Sequence, residues 1–231
     1  MLQCTKKFWI SLMYNEFLKR FLSSFILLTL SFFLILEGKL FFNFFLIILL
    51  IISFKEWFTL SYTKFLFYLG FFFLIVSFAT VYQIRNFESL NDLGLFYFFL
   101  IFTICISTDV GGYIFGNFLK GAKLTKISPK KTISGCFGSY ILSLISTTLY
   151  LNYSNFFFVN VKIYGDEIYL IIIFISTVSQ FGDLIISFFK RSSNKKNTGN
   201  LIPGHGGVLD RIDGMIFSFP VFYILIFYNI L

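Results

Sequence analysis

Residues 168–189 read IYLIIIFISTVSQFGDLIISFF, an apolar run long enough to cross the hydrocarbon core of a bilayer as one helix. Runs of similar character occupy residues 21–36, 40–54, 65–84, 93–108, 133–151 and 215–231. They are continuously apolar rather than alternating, which favours helices over the strands of a membrane barrel. The sequence therefore predicts an all-α, polytopic membrane protein with about seven transmembrane helices, and it leaves open whether residues 110–119 add a pair of half-spans.

The composition excludes several other classes of protein. Hydrophobic residues make up 57% of the 231 residues and charged residues only 13%, whereas soluble domains carry about 25% charged residues. A water-soluble, a disordered and a disulfide-rich protein are all excluded on this ground. The single His excludes a multi-histidine metal site.

The distribution of basic residues predicts the orientation. With the N-terminus in the cytoplasm and seven alternating spans, 16 of the 19 Lys and Arg residues fall on the cytoplasmic side. The first 20 residues, with Phe8 and Trp9 beside Lys6 and Lys7, are predicted to form an interfacial amphipathic helix. Neither a signal peptide nor a transit peptide is recognised, so we expect a multi-pass protein of the bacterial inner (cytoplasmic) membrane.

Two windows of the chain, residues 109–138 and 182–214, differ from the rest. Together they hold 12 of the 16 Gly residues, 10 of the 19 basic residues and the only His. Gly-rich backbone with mixed charge at a membrane edge is costly and is usually functional. We therefore divide the chain into residues 1–108, an amphipathic segment with membrane helices, and residues 109–231, a membrane region with a polar site on the cytoplasmic side.

The second window concentrates acids. Asp183 lies about two turns inside its apolar run, and Ser187, Lys190 and Arg191 follow it on the same helical face. A carboxylate at that depth requires a wet cavity, a cation or a positive side chain. Asp210 and Asp213, three residues apart, can converge on one point at the start of the last helix.

Simpler interpretations remain open for each group. The basic residues of the second window are also typical of anchors for anionic lipid headgroups. Asp210 and Asp213 also suit the positive N-terminal end of a helix, and His205 suits a hydrogen-bonding role. Taken together, carboxylates suit Mg²⁺, Lys and Arg neutralise phosphate oxygens, and glycine N–H groups bind phosphate. The set favours phosphoryl or nucleotidyl transfer at the membrane surface. The sequence contains neither a Walker A motif nor a kinase glycine loop, so neither of those nucleotide-binding folds is expected.

Residues 187–213, SFFKRSSNKKNTGNLIPGHGGVLDRID, resemble the signature of the phosphatidate cytidylyltransferases (CDP-diacylglycerol synthases). The first window, with DVGGYIFG from Asp109 and SPKKTISG from Ser128, is similar to the same family. The resemblance covers the C-terminal half of the chain. Asn197 stands where the family usually has Asp, and Ser134 lies in a stretch that usually has Glu. Two alternatives follow: an enzyme of weakened activity, or a decayed copy that has lost its activity.

The resemblance implies a reaction of CTP with phosphatidate that gives CDP-diacylglycerol and pyrophosphate in phospholipid biosynthesis. It implies Mg²⁺ as cofactor, an active site facing the cytoplasm and no nucleic-acid partner, and it leaves a homodimer open. By matched position the catalytic residues are Asp183, Lys190, Arg191, Asp210, Arg211 and Asp213, of which Asp183, Asp210 and Asp213 hold the metal. The matched substrate-binding residues are Asp109, Lys130, Lys131, Thr132, Ser187, Lys196, His205, Gly206 and Gly207.

Two other functions compete with this one. A CTP-dependent lipid kinase acting on a polyprenol-type alcohol would use a similar site and would transfer the γ-phosphate instead. A non-enzymatic transporter would use Asp183 as a proton or cation site and predicts a paired inverted repeat. We recognise no inverted second copy of the Gly-Asp-Lys/Arg window in the sequence.

Overall fold

The computed structural model describes residues 29–87, 93–125, 128, 131–154, 165, 167–201 and 206–228. These residues form helices in the order α1 (residues 29–37), α2 (Lys39–Leu60), α3 (Lys64–Arg85), α4 (Leu93–Leu119), α5 (Ile133–Ser154), α6 (Glu167–Ser192), α7 (Leu209–Ile212) and α8 (Met215–Phe227). An antiparallel bridge joins Lys123 to Thr132.

The predicted all-α polytopic class is confirmed. Five helices, α2 to α6, are long and apolar enough to cross a membrane, and large apolar side chains such as Phe44 and Leu170 are exposed on their outer faces. The count of seven is not confirmed. α8 has 13 residues, fewer than the roughly 20 that a straight span needs. The predicted first span is described only from residue 29, and the predicted amphipathic helix lies outside the described residues.

The predicted end of the fourth span at residue 108 is wrong, because α4 continues to Leu119. Its glycines pack against α5, and a Cβ on Gly111 would come within 2.5 Å of the carbonyl oxygen of Gly138. Small residues allow such close approach between membrane helices. The boundary drawn between residues 108 and 109 therefore lies inside a helix. In residues 109–138, the glycines allow α4 and α5 to pack closely.

The α2–α3 hairpin is held by Trp57. Its Nε1 donates to the carbonyl oxygens of Leu66 and Phe67, both at 3.3 Å. Gly70 of α3 packs directly on the Trp57 ring and leaves no room for a Cβ. At the opposite end of α3, Arg85 Nε donates to the carbonyl oxygen of Ile35 at 3.0 Å, which satisfies an orphan carbonyl near the end of α1. These contacts fix the N-terminal helices against one another.

α8 packs against α3 and α6. Pro220 has no N–H, so the carbonyl of Ile216 one turn earlier lacks its helical partner, and the Ser77 hydroxyl of α3 donates to it at 2.7 Å. On the α6 side, a Cβ on Gly182 would lie 2.8 Å from the carbonyl oxygen of Asp213. This close approach brings the turn between α7 and α8, at the end of the second window, against the beginning of the same window.

Candidate active site

A polar cleft of about 290 Å³ opens between α4, α5 and α6. Asp109 of α4, Lys131 and Thr132 at the start of α5, and Gln180 and Asp183 of α6 line it. The two sequence windows, which are about 50 residues apart along the chain, thus meet at one site. Asp109, Lys131 and Thr132, which the resemblance predicted to bind substrate, all line this cleft.

The start of α5 fixes the position of Lys131. Thr132 acts as the N-cap of the helix, because its Oγ1 accepts a hydrogen bond from the Gly135 N–H at 3.1 Å. The preceding chain folds back, with the Leu124 N–H donating to the carbonyl oxygen of Lys131 at 2.8 Å. Ser134 Oγ accepts from the Gly121 N–H at 3.2 Å, so this departure from the family pattern braces the same turn.

Asp183 is the centre of the cleft. Its Oδ2 lies 2.5 Å from Lys131 Nζ, with each side chain 25% exposed. Its Oδ1 accepts a hydrogen bond from Ser187 Oγ at 3.2 Å, one turn further along α6. The predicted shared face of Asp183 and Ser187 is confirmed by this contact. Asp183 is therefore paired with a positive side chain within an apolar helix, as a carboxylate at that depth requires.

Asp213 lies against Asp183, and their carboxyl groups share a hydrogen bond. Burial, together with the negative charges of Asp183 and Asp109, raises the pKa of Asp213 well above its usual range. Three carboxyl groups from α4, α6 and the α7–α8 turn share one electrostatic environment.

Asp210 pairs with a different partner. Its Oδ1 lies 2.8 Å from Lys190 Nζ, and both side chains are about one-tenth exposed. Its Oδ2 accepts from the N–H groups of Thr198 at 2.8 Å and Gly207 at 3.1 Å. Burial opposes ionisation, but the Lys190 ammonium and these N–H groups hold the pKa of Asp210 below its usual range. Gly206, which has a positive φ of 89°, shapes this turn.

The remaining predicted residues do not enter the carboxylate cluster directly. Arg191 is exposed and donates to the carbonyl oxygen of Lys195 at 3.2 Å. Lys196 is also exposed, and Arg211 lies on the surface within electrostatic range of Asp109. The side chain of Asn197 lies beside Gly206, next to the Asp210 turn. Lys130 and His205 are outside the described residues.

The donor set fits Mg²⁺. Among the described residues, no group of three or more His, Cys, Asp or Glu side chains is close enough to hold a metal by itself. Mg²⁺, however, is usually bound by one or two carboxylates and completed by waters and substrate phosphates. Asp183, which lines the cleft, and Asp213, which is buried against it, supply two hard carboxyl groups from different elements. Asp210, also predicted as a ligand, stays a prediction in that role because its contacts in the structure are to Lys190 and to backbone N–H groups.

Sequence reasoning missed two residues near these groups. Glu56 of α2 is 6% exposed and contacts the turn that carries Asp210. Gln180 lines the cleft, where its Oε1 accepts from Cys136 Sγ at 2.8 Å. The signal in the sequence for Glu56 is an acidic residue shortly after an apolar run. Because the predicted span ends at residue 54, the sequence does not predict that Glu56 is buried.

Comparison with known proteins gives consistent matches. The sequence matches the cytidylyltransferase family over residues 67–229. It is 43% identical over 130 residues to a protein of Rickettsia typhi named phosphatidate cytidylyltransferase, covering 54% of this chain and 55% of that one. A Bacillus subtilis protein of the same name is 39% identical over 132 residues, covering 54% and 46%. The chain spans about half the length of the curated relatives it matches.

Proposed function

We propose that this chain, which belongs to the cytidylyltransferase family, transfers the cytidylyl group of CTP to phosphatidate. The observation that carries the proposal is the convergence of Asp183 and Asp109 with Lys131 in one cleft of a membrane helix bundle, with Asp213 buried against Asp183. This site suits two anionic substrates, one of which is a lipid. The names of its relatives support the same reaction.

The reaction needs little covalent chemistry from the protein. A phosphate oxygen of phosphatidate attacks the α-phosphorus of CTP, a new P–O–P bond forms, and the bond to the β-phosphate breaks to release pyrophosphate. Because the substrate brings its own nucleophile, a protein nucleophile is not required. The principal obstacle is repulsion between the anionic lipid headgroup and the triphosphate, so positioning and charge neutralisation supply the catalysis.

The contacts of each residue indicate whether it neutralises charge or positions another group. Lys131 and Lys190, each held by a carboxylate at 2.8 Å or less, present ammonium groups to phosphate oxygens. Asp210 orients Lys190 and ties it to the Thr198 and Gly207 backbone. Asp183 and Asp213 would hold Mg²⁺, which when bound offsets negative charge on the substrate phosphates.

The surroundings of the cleft suit a lipid substrate. The cleft lies at the ends of membrane-length helices, where a headgroup can reach Lys131 while its acyl chains stay among apolar side chains. We propose that this end faces the cytoplasm at the inner membrane and that phosphatidate enters sideways from the cytoplasmic leaflet. A homodimer stays a prediction from the resemblance.

Labelled CTP tests the proposal directly. The purified full chain in detergent receives phosphatidate, Mg²⁺ and CTP labelled in parallel at the α- or the γ-phosphate. We expect the α-label in a lipid product and the γ-label in pyrophosphate, with neither product in the absence of phosphatidate.

Three outcomes would count against this activity. The γ-label in a phosphorylated lipid, formed when a polyprenol is supplied, would identify a lipid kinase. Solute transport in vesicles without any requirement for CTP would favour the transporter. An inactive purified chain that is folded, as judged by a sharp melting transition, would favour the decayed copy that Asn197 suggests.

A further inference from the structure

Glu56 is a buried carboxylate on α2, outside the part of the chain that matches the family. It accepts hydrogen bonds from Thr198 Oγ1 at 2.7 Å, the Val208 N–H at 2.8 Å and the Leu209 N–H at 2.8 Å. Thr198 and Leu209 begin and end the segment that carries the His-Gly-Gly sequence. One side chain of the N-terminal half thus ties together both ends of this segment.

The same segment is held from its other side by Asp210. Thr198 offers its hydroxyl to Glu56 and its N–H to Asp210, so the two acids share a partner. The chain leaves space for the Glu56 carboxylate, because a Cβ on Gly199 would lie 2.8 Å from its Oε1. Gly207 has no room for a Cβ at all, since Thr198 Oγ1 and Glu56 Oε2 occupy that position.

The hydrogen-bond pattern requires a carboxylate. Both oxygens of Glu56 accept, and every partner is a donor. An amide in the same place would turn one NH₂ group toward N–H donors and leave at least one of them unpaired, which is costly in a buried site. Charge-assisted bonds to a carboxylate are also about twice as strong as neutral ones.

We infer that Glu56 is a positioning residue: it holds Thr198, Val208 and Leu209 in place so that Asp210 orients Lys190 toward the substrate phosphates. The expected effect on kcat rests on the proposed function. The expected loss of order around Thr198 and Leu209 rests on the hydrogen bonds alone. It makes α2 part of the active enzyme, although the family match begins after this helix.

Kinetics provide the first test. Glu56→Gln should lower kcat for CDP-diacylglycerol formation by about tenfold or more with KM for CTP nearly unchanged, because misplaced catalytic groups slow the reaction of bound substrate. Thr198→Val should lower kcat less, and the double variant should be no slower than Glu56→Gln. The matched control is Glu37→Gln, the same change at an exposed acid at the end of α1. A Glu56→Gln enzyme with wild-type kcat would overturn the inference.

A spin label provides a second test that needs no activity. Leu201 is 61% exposed within the segment, so Leu201→Cys accepts a nitroxide label in a background with Cys4→Ala and Cys136→Ser, in which Cys105 is buried. We expect Glu56→Gln to narrow the spectrum, reporting greater mobility, while Glu37→Gln leaves it unchanged. Unchanged mobility with Glu56→Gln overturns the inference. If the parent protein shows no cytidylyltransferase activity but Glu56→Gln still increases the mobility of the label, the structural role of Glu56 is supported even though the proposed function fails.

Discussion

At the scale of single residues, the carboxyl groups of Asp183 and Asp213 lie against each other in a part of the bundle where an isolated charge is costly. We predict that Asp183→Asn and Asp213→Asn each lower the rate of CTP-dependent lipid labelling by about 100-fold or more, the scale for removing a group that stabilises transition-state charge. The loss follows because each change removes a carboxyl group that we propose as a ligand of Mg²⁺. The initial rate at saturating CTP and Mg²⁺ measures it.

Membrane insertion separates this loss from misfolding. Glu167→Gln is the matched control, because Glu167 is an exposed acid at the other end of the same helix. All three variants should reach the membrane in wild-type amounts and elute at the wild-type volume in detergent. Wild-type turnover in either Asn variant would refute the role of that residue in holding Mg²⁺.

The Lys190–Asp210 pair predicts a specific dependence of stability on pH. A carboxyl group whose pKa is lower in the folded state than in the unfolded state stabilises the fold only while it is ionised. The contribution of Asp210 is therefore complete above its unfolded pKa of about 4 and is lost as the pH falls through its lower folded pKa. Asp210→Asn also leaves Lys190 buried without its partner, at a cost of about 3–5 kcal/mol at neutral pH.

Melting temperatures of wild type and Asp210→Asn, compared between pH 7 and pH 3, measure this contribution. We expect the difference between the two proteins to be largest at pH 7 and to shrink below pH 4. Other carboxyl groups titrate in both proteins and cancel in the comparison. A difference that stays constant over this range would show that the pair with Lys190 does not stabilise the ionised form of Asp210.

At the scale of the elements, the α4–α5 contact depends on glycine. A Cβ at Gly111 would lie 2.5 Å from the carbonyl oxygen of Gly138, and backbone cannot move aside as a flexible side chain does. We predict that Gly111→Ala separates the two helices and destabilises the protein by about 1–3 kcal/mol, in the range for overpacking. Thermal melting in detergent measures the loss. Gly165→Ala is the control, because a Cβ there meets nothing within 4 Å, and an equal effect of both changes would contradict the packing role.

The sequence predicted the helices well where composition alone decides them. Long apolar runs require helices in lipid, because only a helix satisfies every backbone group within a single segment. The end of α4 was mispredicted because Asp109 and the glycines after it resemble a loop by the standards of soluble proteins. In the structure, those glycines allow close packing on α5, and Asp109 faces a polar cleft.

The candidate site was predicted in part, for a similar reason. The position of Asp183 and its shared face with Ser187 follow from helical periodicity, which is local. The pairing of Asp210 with Lys190, and of Asp183 with Lys131, depends on how separate helices dock, which the sequence pattern does not contain. Glu56 is the clearest case, because its partner Thr198 is 142 residues away along the chain.

At the scale of the whole molecule, the polar connections gather at one end. Lys195 Nζ of the segment after α6 donates to the carbonyl oxygen of Thr59 at 2.7 Å, next to the α2–α3 connection. Lys131, at the start of α5, reaches Asp183 near the end of α6. The opposite end holds the C-terminus of α3, where Arg85 contacts the end of α1. Among the described residues, Lys and Arg are therefore more frequent at the first of these ends than at the other.

This asymmetry leads to a prediction about orientation. Basic segments are retained in the cytoplasm, so a cysteine in place of exposed Lys196 should be cytoplasmic and one in place of exposed Asn86 should be periplasmic. In intact cells of a bacterial host, a membrane-impermeant maleimide should label Asn86→Cys, and it should label Lys196→Cys only after the membrane is permeabilised. The Cys4→Ala, Cys136→Ser background without added cysteine is the control for labelling of Cys105. Labelling of Lys196→Cys in intact cells would place the cleft on the outer surface, away from cytoplasmic CTP, and would contradict both the orientation and the proposed reaction.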